Sequence, residues 1–249
     1  MNILSRILLL VATSCLLAAC TTPPVPFDAS AEKIQTIGVL PPRISNTASV
    51  QLATSVGQSF GLIGALVDAG MQADRDSKFK QIADANNIQV QTIFLTALSD
   101  RLQQLGYKTA PIAFNRDAQT STQASNAAGT EFIAVYPKTS DPAVDAYLDL
   151  VVLGYGYRAA GIRDETPYRP MFEAKVRLVD AKTSAVLMQD HLSYNPIIQD
   201  KNIVSIAPDP AYAFTTFDIL MANPEKAVTG LKSATEQTAS TIANLLKKQ

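Results

Sequence analysis

Apolar residues fall into patterned blocks along the chain, separated by polar and proline-bearing stretches. Residues 34–40 (IQTIGVL) have the apolar density of a buried strand, which Pro41-Pro42 ends. Leu52, Val56, Phe60, Ile63, Val67 and Met71 recur at spacings of 4, 4, 3, 4 and 4, one stripe at the helical period. That predicts a helix from about residue 49 to residue 85. A second helix is predicted over 88–105, where Gln91, Leu95, Leu98, Leu102 and Leu105 share a face and Gly106 stands as the C′ residue. A strand is expected over 107–112, a polar loop over 115–130, and a short strand over 132–136, cut by Pro137.

Residues 147–157 (YLDLVVLGYGY) are apolar on both alternating faces over most of their length, the mark of a central strand. Over 171–179 the alternation is cleaner: Phe172, Ala174, Val176 and Leu178 face one way, Glu173, Lys175 and Arg177 the other. A turn around 180–184 leads to a strand over 185–194, which makes a hairpin. Residues 196–223 form a long loop with three prolines and three aromatics, Tyr212, Phe214 and Phe217. A closing helix begins at Pro224 with Asn223 as its N-cap, and Val228, Leu231, Thr235, Thr238, Ile242 and Leu245 form its inner stripe. The order is strand, two helices, strand, loop, three strands, helix. It predicts an α/β (α+β layered) domain, a mixed sheet of about five strands covered by helices and closed by the C-terminal one.

The N-terminus reads differently. Met1–Arg6 is weakly basic, Ile7–Leu17 is an apolar run too short to span a bilayer, and Leu17-Ala18-Ala19-Cys20 follows in register. This resembles the lipobox of bacterial lipoproteins. The resemblance implies cleavage before Cys20 and acylation of that cysteine; an ordinary secretory signal with a chance cysteine is the alternative. Thr21 in place of an aspartate implies, by the same resemblance, the outer membrane with the domain facing the periplasm. Residues 1–19 are thus the signal peptide, 20–32 a tether, and 33–249 a single domain. Prolines at 23, 24 and 26 favour an extended tether, whose rise of roughly 3.1 Å per residue lets the domain stand about 30 Å off the membrane.

Removal of 1–19 takes Arg6 and no acid, leaving 20 basic and 22 acidic residues. Such a balance gives no electrostatic footprint for nucleic acid or for an anionic membrane surface. Cys15 leaves with the signal and Cys20 is consumed by lipid, so the mature chain has no thiol for a disulfide. With His191 the only histidine, neither a metal site nor a cofactor is expected.

Candidate chemistry is sparse. His191 beside Asp190 reads as a solvated strand-end histidine, since adjacent strand residues face opposite ways. Asp149 is either a buried acid or a hydrated one near a strand end. Glu173, Lys175 and Arg177 read as a solvated row. Gly154 and Gly156 share a face that admits a close helix. Gly57, Gly61 and Gly64 lie near the first helical stripe, where glycine costs up to about 1 kcal/mol each, so close approach of another backbone is expected there. Those three glycines, with Tyr212, Phe214 and Phe217, are the candidate partner or oligomer contacts; for the aromatics, docking onto the domain is the alternative.

Two stretches carry a further resemblance: 33–41 (KIQTIGVLP), and 176–189 (VRLVDAKTSAVLMQ), with Ser184 where a glycine is usual. With the element order, they resemble periplasmic lipoproteins whose fold is like the N-terminal domain of TolB, among them the curli-secretion lipoprotein. The resemblance implies a non-enzymatic envelope role in binding, assembly or scaffolding, with a protein partner in the envelope. A subunit of an oligomeric secretion pore, a homo-oligomer, is the second reading, resting on the uncharged stretch 44–67. A cell-envelope enzyme is the third.

Overall fold

The computed structural model describes residues 23–28, 33–44, 48–52, 61–116, 132–138, 143–161 and 166–247, and of 61–69 the backbone alone. The strands are β1 (Thr36–Val39), β2 (Arg43–Ile44), β3 (Ser49–Leu52), β4 (Lys108–Pro111), β5 (Ala146–Ala159), β6 (Arg169–Asp180), β7 (Val186–Tyr194) and β8 (Val204–Ile206). The helices are α1 (Gly61–Ala85), α2 (Val90–Gln104), α3 (Phe217–Ala222) and α4 (Pro224–Leu245). All eight strands form one mixed sheet in the order β4-β1-β5-β6-β7-β8, with β2 and β3 also on β5.

β5 organises the sheet. Along one edge it pairs in parallel with β1, β2 and β3 in succession; along the other it pairs antiparallel with β6. Its near-continuous apolar sequence suits a strand with both edges paired and both faces covered. α2 and α4 lie on one face. There Leu148, Leu150 and Val152 of β5 and Phe172, Ala174, Val176 and Leu178 of β6 meet Phe94, Leu98 and Leu102 of α2 and Leu231, Ala234 and Ile242 of α4. The Phe94 and Phe172 rings stack at 5.3 Å. In α4 the buried hydroxyls of Thr235 and Thr238 donate back to Leu231 and Ala234 carbonyls at 2.8 Å, so neither is left unsatisfied. The far face carries a second, smaller core of Leu40, Ile112, Ile133, Tyr136, Tyr147 and Val179.

The structure departs from the sequence pattern in five places. The helix expected from residue 49 is present, within the described residues, from Gly61 onward, and it does not reach back to residue 49. Leu52 belongs to β3, and Met71, expected on the inner stripe, is 49% exposed. β3 holds a single buried side chain, Val50, and its partner strand lies more than a hundred residues downstream; four residues carry too little alternation to compete with a helical stripe. Residues 132–136 form no strand; they lie across the far face as irregular chain. Asn223 stands at the N-cap of α4 but makes no cap bond, because its side chain donates to Ile219 O at 2.7 Å. The expected loop 196–223 is built rather than loose, with β8, a 3₁₀ turn at Pro210–Tyr212, and α3, which Thr216 caps.

The fifth departure concerns Gly154 and Gly156. A close approach does occur, but its partner is a strand and not a helix. Gly156 has φ 139°, and a Cβ there would overlap the Ser49 carbonyl and lie 2.8 Å from the Ser49 nitrogen. β3 can pair with this part of β5 only because the side chain is missing.

Candidate functional site

The far face of β5, β6 and β7 carries the charged groups. Register places Asp149 opposite Arg177, Arg177 opposite Gln189, Lys175 opposite His191, and Glu173 opposite Ser193. Burying charge this way requires partners, and the structure supplies them from segments that cross the sheet.

Asp149 is fully buried. One carboxylate oxygen takes the Arg116 guanidinium; the other accepts from Ile133 N at 2.9 Å and Tyr136 Oη at 3.1 Å. Arg116 also donates to the carbonyls of Pro41 and Leu150. The acid therefore pins two connecting segments to the sheet, and of the two readings the buried acid holds over the hydrated strand-end one. Burial, then the Asp149 charge, push the Tyr136 hydroxyl far above its ordinary range, so it remains a proton donor.

Phe132 lies over Arg177, with the guanidinium carbon 4.2 Å from the ring centroid. Arg177 Nε donates to Gln189 Oε1 at 2.8 Å. Glu173 has two partners: His191 Nε2 is 2.9 Å away and the Arg158 guanidinium, through Nη2, 3.4 Å. The hydrogen bond to His191, which outweighs burial, and the nearby Arg158 hold the Glu173 carboxyl below the usual carboxylate range. His191 is thus a paired mid-strand residue rather than a solvated strand-end one, and the row Glu173, Lys175, Arg177 is half-buried rather than open.

Between the 132–138 segment and β7, Phe132, Lys175, Arg177, Gln189 and His191 border a groove of about 980 Å³. Pro24 lines it too. The next residue, Val25, pairs antiparallel with Gln189, by bonds of 2.8 Å from Val25 N and 2.9 Å from Gln189 N. Phe27 packs against the main core. The tether therefore does not run free over its whole length: the fold takes hold of it at Val25, and the expected reach of about 30 Å at 3.1 Å per residue shortens accordingly.

The other sequence-derived candidates separate. Cys20 and Gly57 lie outside the described residues. Gly61 and Gly64 lie in the first turn of α1 as described. Phe214 is a core residue, 3% exposed, edge-on to Tyr157 at 5.6 Å and bonded through its backbone to Tyr168; here the docking alternative holds in place of a partner contact. Phe217 tilts against Tyr168 at 6.3 Å, and Tyr212 packs beside Gly230. Arg116, Phe132, Tyr136 and Val25 were not singled out by the sequence. The one signal available was an acid, Asp149, inside an apolar strand, which demands a cation from somewhere. Among the described residues no cluster of His, Cys, Asp or Glu is placed to hold a metal, and no helix is long and apolar enough to cross a membrane.

No family model matches the sequence, and no curated protein matches it. Among solved structures, lipoprotein GNA1162 from Neisseria meningitidis is 19% identical, covering 64% of this chain and 81% of its own, at a TM-score of 0.27. The PelC dodecamer from Paraburkholderia phytofirmans is 11% identical, covering 91% and 96%, at 0.35. A point variant of that dodecamer is 10% identical with the same coverage, at 0.32. With TM-scores this low, neither protein lends this chain a role.

Proposed function

We propose that this is a lipid-anchored protein of the bacterial outer membrane, facing the periplasm, whose domain binds another envelope component and has no catalytic role. The observation that carries the reading is the leader ending in Leu17-Ala18-Ala19-Cys20. Acyl chains on Cys20 give stable attachment where a single chain would be marginal. The engagement of Asp149 by Arg116, Ile133 and Tyr136 supports a binding role, because the acid best placed for chemistry has no free oxygen to offer a substrate.

Metabolic labelling with palmitate in a bacterial host tests the anchor. Wild type and Cys15→Ala take up label, and Cys20→Ala takes up none. Label persisting in Cys20→Ala, or absent from wild type, overturns the reading. Crosslinking in cells, followed by mass identification of what is captured with wild type, tests the binding role.

A further inference from the structure

The groove on the far face and the place where the tether reaches the fold coincide. Pro24 lines the groove, and the antiparallel pairing at Val25 sends the upstream chain along β7 toward His191, another lining residue. From Cys20 to Val25 the chain spans at most about 18 Å when fully extended. With Cys20 acylated, the groove is held within that reach of lipid headgroups.

Its chemistry matches that position. Lys138, Lys175 and Arg177 line it, with Asp190 and Asp200 as the acids. Asp190 pairs in register with Val176, so its side chain belongs to the helix-covered face. Neither Lys175 nor Arg177 pairs with a carboxylate among the described residues. Arg177 meets a neutral amide, an aromatic ring and the Tyr136 hydroxyl, with Asp149 as its cross-strand neighbour. The walls mix polar and apolar side chains, and two of the apolar ones stay open to solvent: Val135 is 60% and Val186 41% exposed. Cations beside open apolar side chains, near an acylated N-terminus, fit a phosphate that carries acyl chains.

We propose that this groove binds the phosphodiester headgroup of an anionic phospholipid from the leaflet that holds the anchor. The location of the lipid source rests on acylation of Cys20; the chemistry of the groove does not.

The test uses protein expressed from the full-length chain and extracted in dodecyl maltoside. Thermal melts are recorded with dihexanoyl phosphatidylglycerol, dihexanoyl phosphatidylcholine or inorganic phosphate. Phosphatidylglycerol at a hundredfold excess over its dissociation constant raises the melting temperature by roughly 5–10 °C; the other two leave it in place. Lys175→Glu removes the response, and Lys175→Gln weakens binding at least threefold while its own lipid-free melt stays at the wild-type value. An equal shift with phosphatidylcholine, an equal shift with inorganic phosphate, or an undiminished response in Lys175→Glu overturns the proposal. The mass of the N-terminal peptide from the same preparation reads acylation separately. Acylated protein without a phosphatidylglycerol shift overturns the groove and leaves the anchor standing. Unacylated protein with the shift overturns the anchor and supports the groove.

Discussion

Gly230 of α4 and Tyr157 of β5 meet where no side chain fits between them. A Cβ on Gly230 would run into the Tyr157 hydroxyl and lie 2.8 Å from Tyr212 Cβ. The same hydroxyl donates to Ala227 O at 3.0 Å, one turn earlier in the helix. Gly230→Ala is expected to cost about 1–2 kcal/mol. Overpacking of about 1–3 kcal/mol outweighs the gain in helix propensity of up to about 1 kcal/mol. Urea denaturation of the variant beside wild type measures the difference, and a stabilised variant contradicts the close contact.

Phe214→Ala removes a ring that sits between Tyr157 and Lys226, whose ammonium lies 4.9 Å from the ring centroid. Loss of a buried aromatic predicts a destabilisation of about 3–5 kcal/mol. An unchanged thermal melt contradicts the docked position of this loop.

Asp149→Asn keeps the shape and removes the charge. Arg116 is then left without its carboxylate at 11% side-chain exposure, and breaking such a buried pair costs about 3–5 kcal/mol. The Ile133 amide, bonded to Asp149 at 2.9 Å, should lose hydrogen-exchange protection. The double variant Asp149→Asn with Arg116→Met recovers part of the stability, because no charge remains unpaired. A single variant as stable as wild type contradicts the clamp.

Two carboxyls give opposite pH signatures. Glu173 is held below its ordinary range by His191 and Arg158. Its contribution is therefore complete above the unfolded value of about 4.3 and is lost as pH falls through the lowered folded value. Asp190 is raised by burial, so its ionisation opposes folding at neutral pH, and that penalty disappears as the group takes up its proton in acid. Glu173→Gln should be less stable than wild type at pH 6, with the gap narrowing at pH 3. Asp190→Asn should be more stable at pH 7, with the gain vanishing at pH 3. Denaturation midpoints at those values check both signs.

The long elements were legible because their periods are long. β5, β6, β7, α2 and α4 each repeat an apolar position often enough for the period to outweigh local noise, and each appears within a few residues of its expected span. What the sequence hid was decided at a distance. β3 is named by Gly156, and the 132–136 segment by Asp149. Arg116 stands in a polar run with no pattern of its own. Clean alternation in Glu173, Lys175 and Arg177 marked a face correctly, but alternation cannot tell water from a covering segment, and Phe132 supplies the cover. Glycine spacing pointed to close approach, which was right for Gly156, with the wrong kind of partner.

The pairing of Val25 with Gln189 has a consequence for the sheet border. β8 covers only Leu192–Tyr194 of β7, so the lower part of that strand would otherwise present bare N–H and C=O groups, a template on which another chain can add. At the opposite border β4 is four residues long, carries an exposed Lys108 and ends in Pro111, features that discourage strand addition. A version trimmed to begin after residue 28 would uncover this strand. Its tendency to self-associate would then come from a missing strand partner, and should not be mistaken for a native oligomer.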